Sequence, residues 1–255
     1  MPEQQVGLLG GPMNKRALLF GAPGDAITLI VGNEANSTTF SIHKSLLCYT
    51  STYFQNACKS ERLKPEVKVI ELPVDRPEVI RGMVYWMYYD ELGITAKQFD
   101  HHTVFDGSRD IMDTKWGLWA QLYVLGDKYD LPQLRNHVMD VIVDQYIESN
   151  CQSPLGIVPY VYENTNSPDD PLRMFLVDVT KVFATRATIM ANKNMFHAEF
   201  LFELTMAFAD ARRHLHFDDD DAADVDFCNR FHVHNIGDPI CGDLRQPFVV
   251  DEPER

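Results

Sequence analysis

The stretch Thr39-Phe40-Ser41-Ile42-His43-Lys44-Ser45-Leu46-Leu47-Cys48 decides how the rest of the chain is read. Thr39 to Ile42 alternate polar and apolar, the period of a half-buried strand. From His43 onward the period changes, and polar Lys44-Ser45 followed by the Leu46-Leu47 pair reads as helix. Upstream, Ala26-Ile27-Thr28-Leu29-Ile30-Val31 is a β-branched run closed by Gly32-Asn33, a strand and then a turn. The polar stretch Glu34 to Thr38 lets the second strand return beside the first, so the two are expected to form a hairpin.

Working outward, Thr52 to Cys58 reads as a second short helix, and Val67 to Leu72 as a strand stopped by Pro73. Asp75 and Glu78 have capping-box spacing with Pro77 in the first turn, which predicts a helix N-terminus at Asp75. Val79, Ile80, Met83, Val84, Met87 and Tyr88 then repeat at helical spacing. Residues 93–115 lose that period and gather Asp, His and Gly, as a long loop does. Trp119, Leu122, Tyr123, Leu125 and Tyr129 restore a helical stripe, Asp130-Leu131-Pro132 interrupts it, and Leu134, Val138, Val141 and Ile142 begin another. The sum is an α+β domain over residues 25–149, a small mixed sheet packed on a cluster of helices. Residues 1–24 read as a flexible lead-in. After Ser149 comes a break holding Pro154, Pro159 and the loop Asn164 to Pro171. Two amphipathic helices follow, one with Leu172, Phe175, Leu176, Val179 and Phe183 on a face, the other with Phe196, Phe200, Leu201, Leu204 and Phe208. These make residues 150–215 a helical extension, and residues 216–255 an acidic stretch expected to be disordered.

Charge narrows the partners. The 255 residues carry 23 basic and 37 acidic side chains, a net charge of −14, and Asp218 to Asp221 with Asp224 and Asp226 hold much of the excess. Such a field repels phosphate backbones and anionic lipid, so neither nucleic acid nor membrane is expected as a direct partner. No apolar run approaches the roughly 20 residues of a bilayer span. Five scattered cysteines without a secretion signal fit a reduced intracellular compartment, cytoplasm or nucleus.

Motifs for catalysis are absent: there is no Gly-x-Ser-x-Gly elbow, Walker loop or His-Glu-x-x-His, so an enzyme is not expected. The loop Asp100-His101-His102 with Asp106, Asp110 and Asp113 holds metal-type ligands, although a polar insertion is its ordinary explanation. Cys228, His232, His234 and Cys241 form a sharper cluster, two thiols and two imidazoles that suit a closed tetrahedral structural zinc. The spacing is not that of a standard finger, and stray Cys and His residues are the alternative.

Phe40, Ile42, His43, Leu46 and Leu47 together resemble the strand-to-helix signature of BTB/POZ domains: an apolar strand residue, His, a basic residue and a Leu pair. The surrounding order resembles the family too. Ser51-Thr52-Tyr53-Phe54 looks like its Ser-x-x-Phe, Val69 to Leu72 like its central strand, Tyr85 to Asp90 like its aromatic helix end, and Leu125 to Leu131 with Leu134 like its late helix pair. The chain departs at Ser60 to Pro65, at Tyr89-Asp90-Glu91 in place of Thr-Gly, and in the long segment 93–115, which lies near surfaces that relatives use for cullin contact. Val161 to Thr165 with Leu172-Arg173, and the late Cys/His cluster, resemble extensions of fungal BTB proteins.

The resemblance implies a protein-binding module that homodimerises and recruits another protein. A substrate adaptor of a cullin-type ubiquitin ligase, or a transcriptional co-regulator without its own DNA-binding domain, is the alternative role. It also implies that Asp25 and Lys44 form a charged pair near the dimer surface. If buried, each charge needs the other, and loss of one costs about 3–5 kcal/mol; if exposed, the pair is worth under about 1 kcal/mol. His43 is expected to be a structural histidine at a helix start.

Overall fold

A computed structural model describes residues 26–33, 36–59, 68–92, 112, 114–148 and 154–214, and these fall into two compact units that divide between Gly93 and Ile94. In the first unit β1 (Ala26–Val31) and β2 (Thr38–His43) form the antiparallel hairpin, with Ala26 opposite His43 and Val31 opposite Thr38. Gly32 turns the chain at a φ of +92°, a conformation that favours glycine, and a Cβ there would press on the Asn36 carbonyl oxygen at 3.0 Å. β3 (Val69–Leu72) runs parallel to β1, giving a three-stranded mixed sheet of order β2-β1-β3. The alternation of β1 sends Ile27, Leu29 and Val31 to one buried face, joined by Ile42 and Leu72.

β2 passes directly into α1 (Lys44–Thr50), which buries Leu46 and Leu47, and one residue later into α2 (Thr52–Lys59), which buries Phe54. Ser51 makes that tight junction, its Oγ accepting from the Phe54 N–H at 3.1 Å. α3 (Pro77–Tyr89) buries Val79, Ile80, Met83 and Met87 as the spacing predicts, and Trp86 besides, while Val84 and Tyr88 are half-buried. Its start corrects the capping box: Arg76, not Asp75, is the N-cap, and the Arg76 side chain makes no cap hydrogen bond. Pro77 takes the first helical position, where its missing N–H costs nothing, and this leaves Asp75 one residue too far out. At the other end Asp90 adopts the left-handed region at φ 54°, and its N–H closes on the Trp86 carbonyl, the role glycine usually fills.

In the second unit, Thr114 caps α4 (Lys115–Lys128) by accepting from the Gly117 N–H. A turn through Asp130, again left-handed, leads into α5 (Pro132–Glu148). The two helices close on Gly126, where a Cβ would lie 2.7 Å from the Arg135 Cγ. A 3₁₀ turn (Leu155–Ile157) then opens α6 (Val158–Asn164), followed by α7 (Pro171–Phe183), α8 (Arg186–Ala191) and α9 (Ala198–His214). α6 corrects the reading of Pro159 as part of a break: the proline sits in the first turn, where the helix tolerates it.

α7 buries Leu172, Phe175, Leu176 and Val179 as expected. α9 differs. Phe200 and Leu204 are buried, but Leu201 and Phe208 stay exposed and Phe196 is half-buried. At about 100° per residue, Leu201 and Phe208 stand roughly 80–100° from Phe200, at the edge of its arc rather than on it.

Candidate interaction surface

The signature residues occupy the β2–α1 junction. Ile42, Leu46 and Leu47 are fully buried, while Phe40 and His43 are half-buried. His43 is the N-cap residue of α1, and its Nδ1 lies 2.8 Å from the Tyr88 hydroxyl, which also accepts from the His43 backbone N–H at 3.2 Å. The imidazole thus ties the strand–helix junction to α3. In the sequence Tyr88 belongs to the helical stripe and to the aromatic run 85–89, and neither marks it as a partner of His43. Lys44 opens α1 and is half-buried. Asp25, its expected partner, lies outside the described residues. Around the junction Tyr49 and Tyr53 remain 42% and 45% exposed, and Tyr89 at the end of α3 is 63% exposed. Exposed tyrosines combine apolar area with a polar tip, a mixture enriched where proteins meet.

Two polar networks organise the second unit. Asp170 caps α7, accepting from the N–H groups of Leu172 and Arg173, and also accepts from the Tyr123 hydroxyl at 3.1 Å and from Arg135 at 2.9 Å. Arg135 further donates to the Tyr123 oxygen and to Asp127, with its guanidinium 4.5 Å from the Tyr123 ring centre. Burial lifts the Asp170 carboxyl above its ordinary value, against the pull of Arg135 and the Arg173 N–H. Burial, then the Asp170 charge, pushes the Tyr123 phenol well up.

Arg173 is 3% exposed, yet it donates to the Thr165 hydroxyl and carbonyl, the Tyr162 carbonyl and Glu199, and lies 3.5 Å from Glu203. Tyr162 stacks beneath that guanidinium and donates to Glu203. The Tyr162 phenol is raised by burial and then by that hydrogen bond. Both arginines are held by carboxylates and oxygens of the fold itself, an arrangement that fastens α4–α7 and α9 together. The sequence points to Tyr123 as part of a helical stripe and to Tyr162, Thr165 and Arg173 within the fungal-type segments, but not to their pairing, because most partners lie far apart along the chain.

Among the described residues no group of three or more His, Cys, Asp or Glu stands close enough to hold a metal. Asp100, His101, His102, Asp106, Asp110 and Asp113, like Cys228, His232, His234 and Cys241, lie outside the described residues. No described helix is long and apolar enough to cross a membrane.

Residues 26–146 match the family model of the BTB/POZ domain. This segment is a BTB/POZ domain. The match begins at β1, takes in the β2–α1 signature and ends within α5, short of the helices that follow. BTB domains are protein–protein interaction modules, generally non-enzymatic, and generally mediate self-association and partner binding. No curated protein matches the chain.

Proposed function

We propose that this BTB domain homodimerises through its first-strand and first-helix face and recruits a partner protein inside the cell. The family match carries the reading, and the exposed Tyr49 and Tyr53 beside the signature junction support it. A specific interface on that face buries on the order of 1,600 Å² in total. Asp25 and Lys44 pair within it, and the helices beyond residue 150 serve as an extension of the kind seen in fungal BTB proteins. Light scattering of the full chain at about 10–50 μM, a range where a specific dimer persists, reads a dimer, and Asp25→Lys lowers both the dimer fraction and the melting temperature. A monomer throughout that range overturns the proposal. Affinity purification from cells separates the roles of the partner: a specific cullin makes the chain a ubiquitin-ligase adaptor, and chromatin proteins make it a co-regulator.

The chemistry of Cys228, His232, His234 and Cys241 supports a second element of this reading, one structural zinc with four protein ligands and no open position for catalysis. Metal analysis of untagged protein finds about one zinc per chain, and Cys228→Ser with Cys241→Ser loses it while the BTB domain stays folded. Metal-free wild-type protein sinks the assignment.

A further inference from the structure

The connection between α6 and α7 is fixed at both ends and bare in the middle. At one end the Thr165 hydroxyl accepts from the Arg173 Nε at 2.6 Å; at the other the Asp170 carboxylate holds Arg135 at 2.9 Å and caps α7. Asn166, Ser167, Pro168 and Asp169, between these anchors, are all exposed. They form a turn in which the Asp170 N–H donates to the Ser167 carbonyl at 3.1 Å and the Asp169 N–H to the Ser167 Oγ at 3.2 Å. Exposed loop tips of this kind are where modifying enzymes gain access to a folded chain. We propose that Ser167 is a phosphorylation site for a proline-directed serine/threonine kinase, with Pro168 as the residue the kinase reads. This site is independent of the dimerisation reading.

Ser-Pro occurs twice in the chain and Thr-Pro not at all. The fold separates the two copies. Pro154 is buried at the start of the 3₁₀ turn, out of reach of a kinase pocket, whereas Pro168 is exposed beside an exposed Ser167. An acidic residue also stands three positions after Ser167, the spacing an acidophilic kinase reads. That residue is Asp170, whose side chain is 8% exposed and already accepts from Tyr123, Arg135 and the N–H groups of Leu172 and Arg173. Its carboxylate is withdrawn into the fold, which leaves proline as the determinant at the surface. In the reaction the Ser167 Oγ attacks the γ-phosphorus of ATP and the bond to the β-phosphate oxygen breaks. ADP leaves with that electron pair, and the hydroxyl proton passes to the carboxylate base of the kinase. The phosphate adds a charge of about −1.5 to −2 beside Asp169, while Thr165 and Asp170 keep the two ends of the loop in place.

A kinase binds its substrate extended, so the turn must open. Opening gives up the two hydrogen bonds of the tip and leaves both anchors closed, which is local opening rather than unfolding. The folded full-length chain, incubated with a mitogen-activated protein kinase and MgATP, should therefore be phosphorylated at Ser167 within about a hundredfold of the rate of the free peptide Tyr162–Arg173. Trypsin cuts after Arg135 and Arg173, so the peptide Asn136–Arg173 holds both Ser-Pro pairs, and its fragmentation spectrum locates the phosphate. Ser167→Ala should abolish the label and Pro168→Ala should slow it at least about tenfold, with the circular dichroism of both variants unchanged. An acidophilic casein kinase should leave Ser167 of the folded chain unlabelled. Phosphate at Ser153 instead of Ser167 overturns the proposal, as does a free peptide that is not phosphorylated or a folded chain slower than that hundredfold limit. So does a folded Pro168→Ala variant labelled as fast as wild type, or labelling of the folded chain at Ser167 by the acidophilic kinase.

Discussion

Asp170 does three jobs with one carboxylate: it caps α7, it accepts from Tyr123, and it neutralises Arg135. An Asp170→Ala substitution removes a cap worth about 1 kcal/mol and leaves the Arg135 charge with only the exposed Asp127. Breaking a buried pair from one side costs about 3–5 kcal/mol, and the remaining Asp127 contact places the expected loss near the low end. Urea unfolding should show it as a lower midpoint. Asp170→Asn should lose less, since its oxygen can still cap the helix. The buried tyrosines make a separate prediction. The Tyr123 and Tyr162 phenols are raised above their ordinary value of 10.0, so below that pH both the folded and the unfolded chain keep them protonated. Above it the unfolded chain ionises first and binds fewer protons than the folded one, so stability falls as pH rises. Melting temperature should therefore decline from about pH 10 upward, and Tyr123→Phe with Tyr162→Phe should flatten the decline. An unchanged slope in the double variant refutes the attribution.

At the scale of elements, hydrophobic period made most of the fold legible. β1, β2, β3 and α1 to α5 stand where alternation or helical spacing placed them, although α4 is buried all round from Gly117 to Tyr123 rather than on one face. The failures also have physical causes. Pro159 reads as a breaker in sequence but lies in the first turn of α6, and the Asp75/Glu78 spacing imitates a capping box that Pro77 displaces by one residue. The signature junction was legible because its residues are consecutive. The His43–Tyr88 contact and the Arg135 and Arg173 networks were not, since their partners meet only after folding. α9 shows the limit of period alone: it is apolar around more of its circumference than it buries. Phe202, 67% exposed, stands on the side opposite Phe200, which is fully buried. Phe200→Ala should cost about 3–5 kcal/mol, whereas Phe202→Ser should stay within about 0.5 kcal/mol of wild type. Thermal unfolding of the two variants distinguishes them, and a large penalty at Phe202 would mean that α9 buries both faces in solution.

For the molecule as a whole, the question is whether the BTB segment is energetically complete without the helices after it. Composition suggests a boundary near residue 149, and the family match ends at residue 146. The contacts cross that line. Tyr123 and Arg135, both inside the matched segment, are bound to Asp170, and Tyr146 meets Phe175 edge-on with ring centres 5.6 Å apart. A fragment covering residues 1–149 would return these groups to water. Tyr146 and its neighbours would then expose apolar surface at about 25 cal/mol per Å², and the Arg135 charge would keep only Asp127 as a carboxylate partner. The fragment should therefore melt below the full chain and bind a hydrophobic dye more strongly. A lower melting point alone could reflect any lost surface, so a mutant cycle provides the sharper test. In the full chain Arg135→Ala leaves Asp170 buried without its cation, whereas in an Asp170→Ala background that penalty has already been incurred. The two substitutions should be non-additive by on the order of 1–3 kcal/mol. Applied to the fragment, Arg135→Ala should have the smaller effect seen in the Asp170→Ala background. If Arg135→Ala costs the same in wild type, the Asp170→Ala background and the fragment, the helices after residue 150 contribute nothing through this pair, and the BTB segment is complete without it.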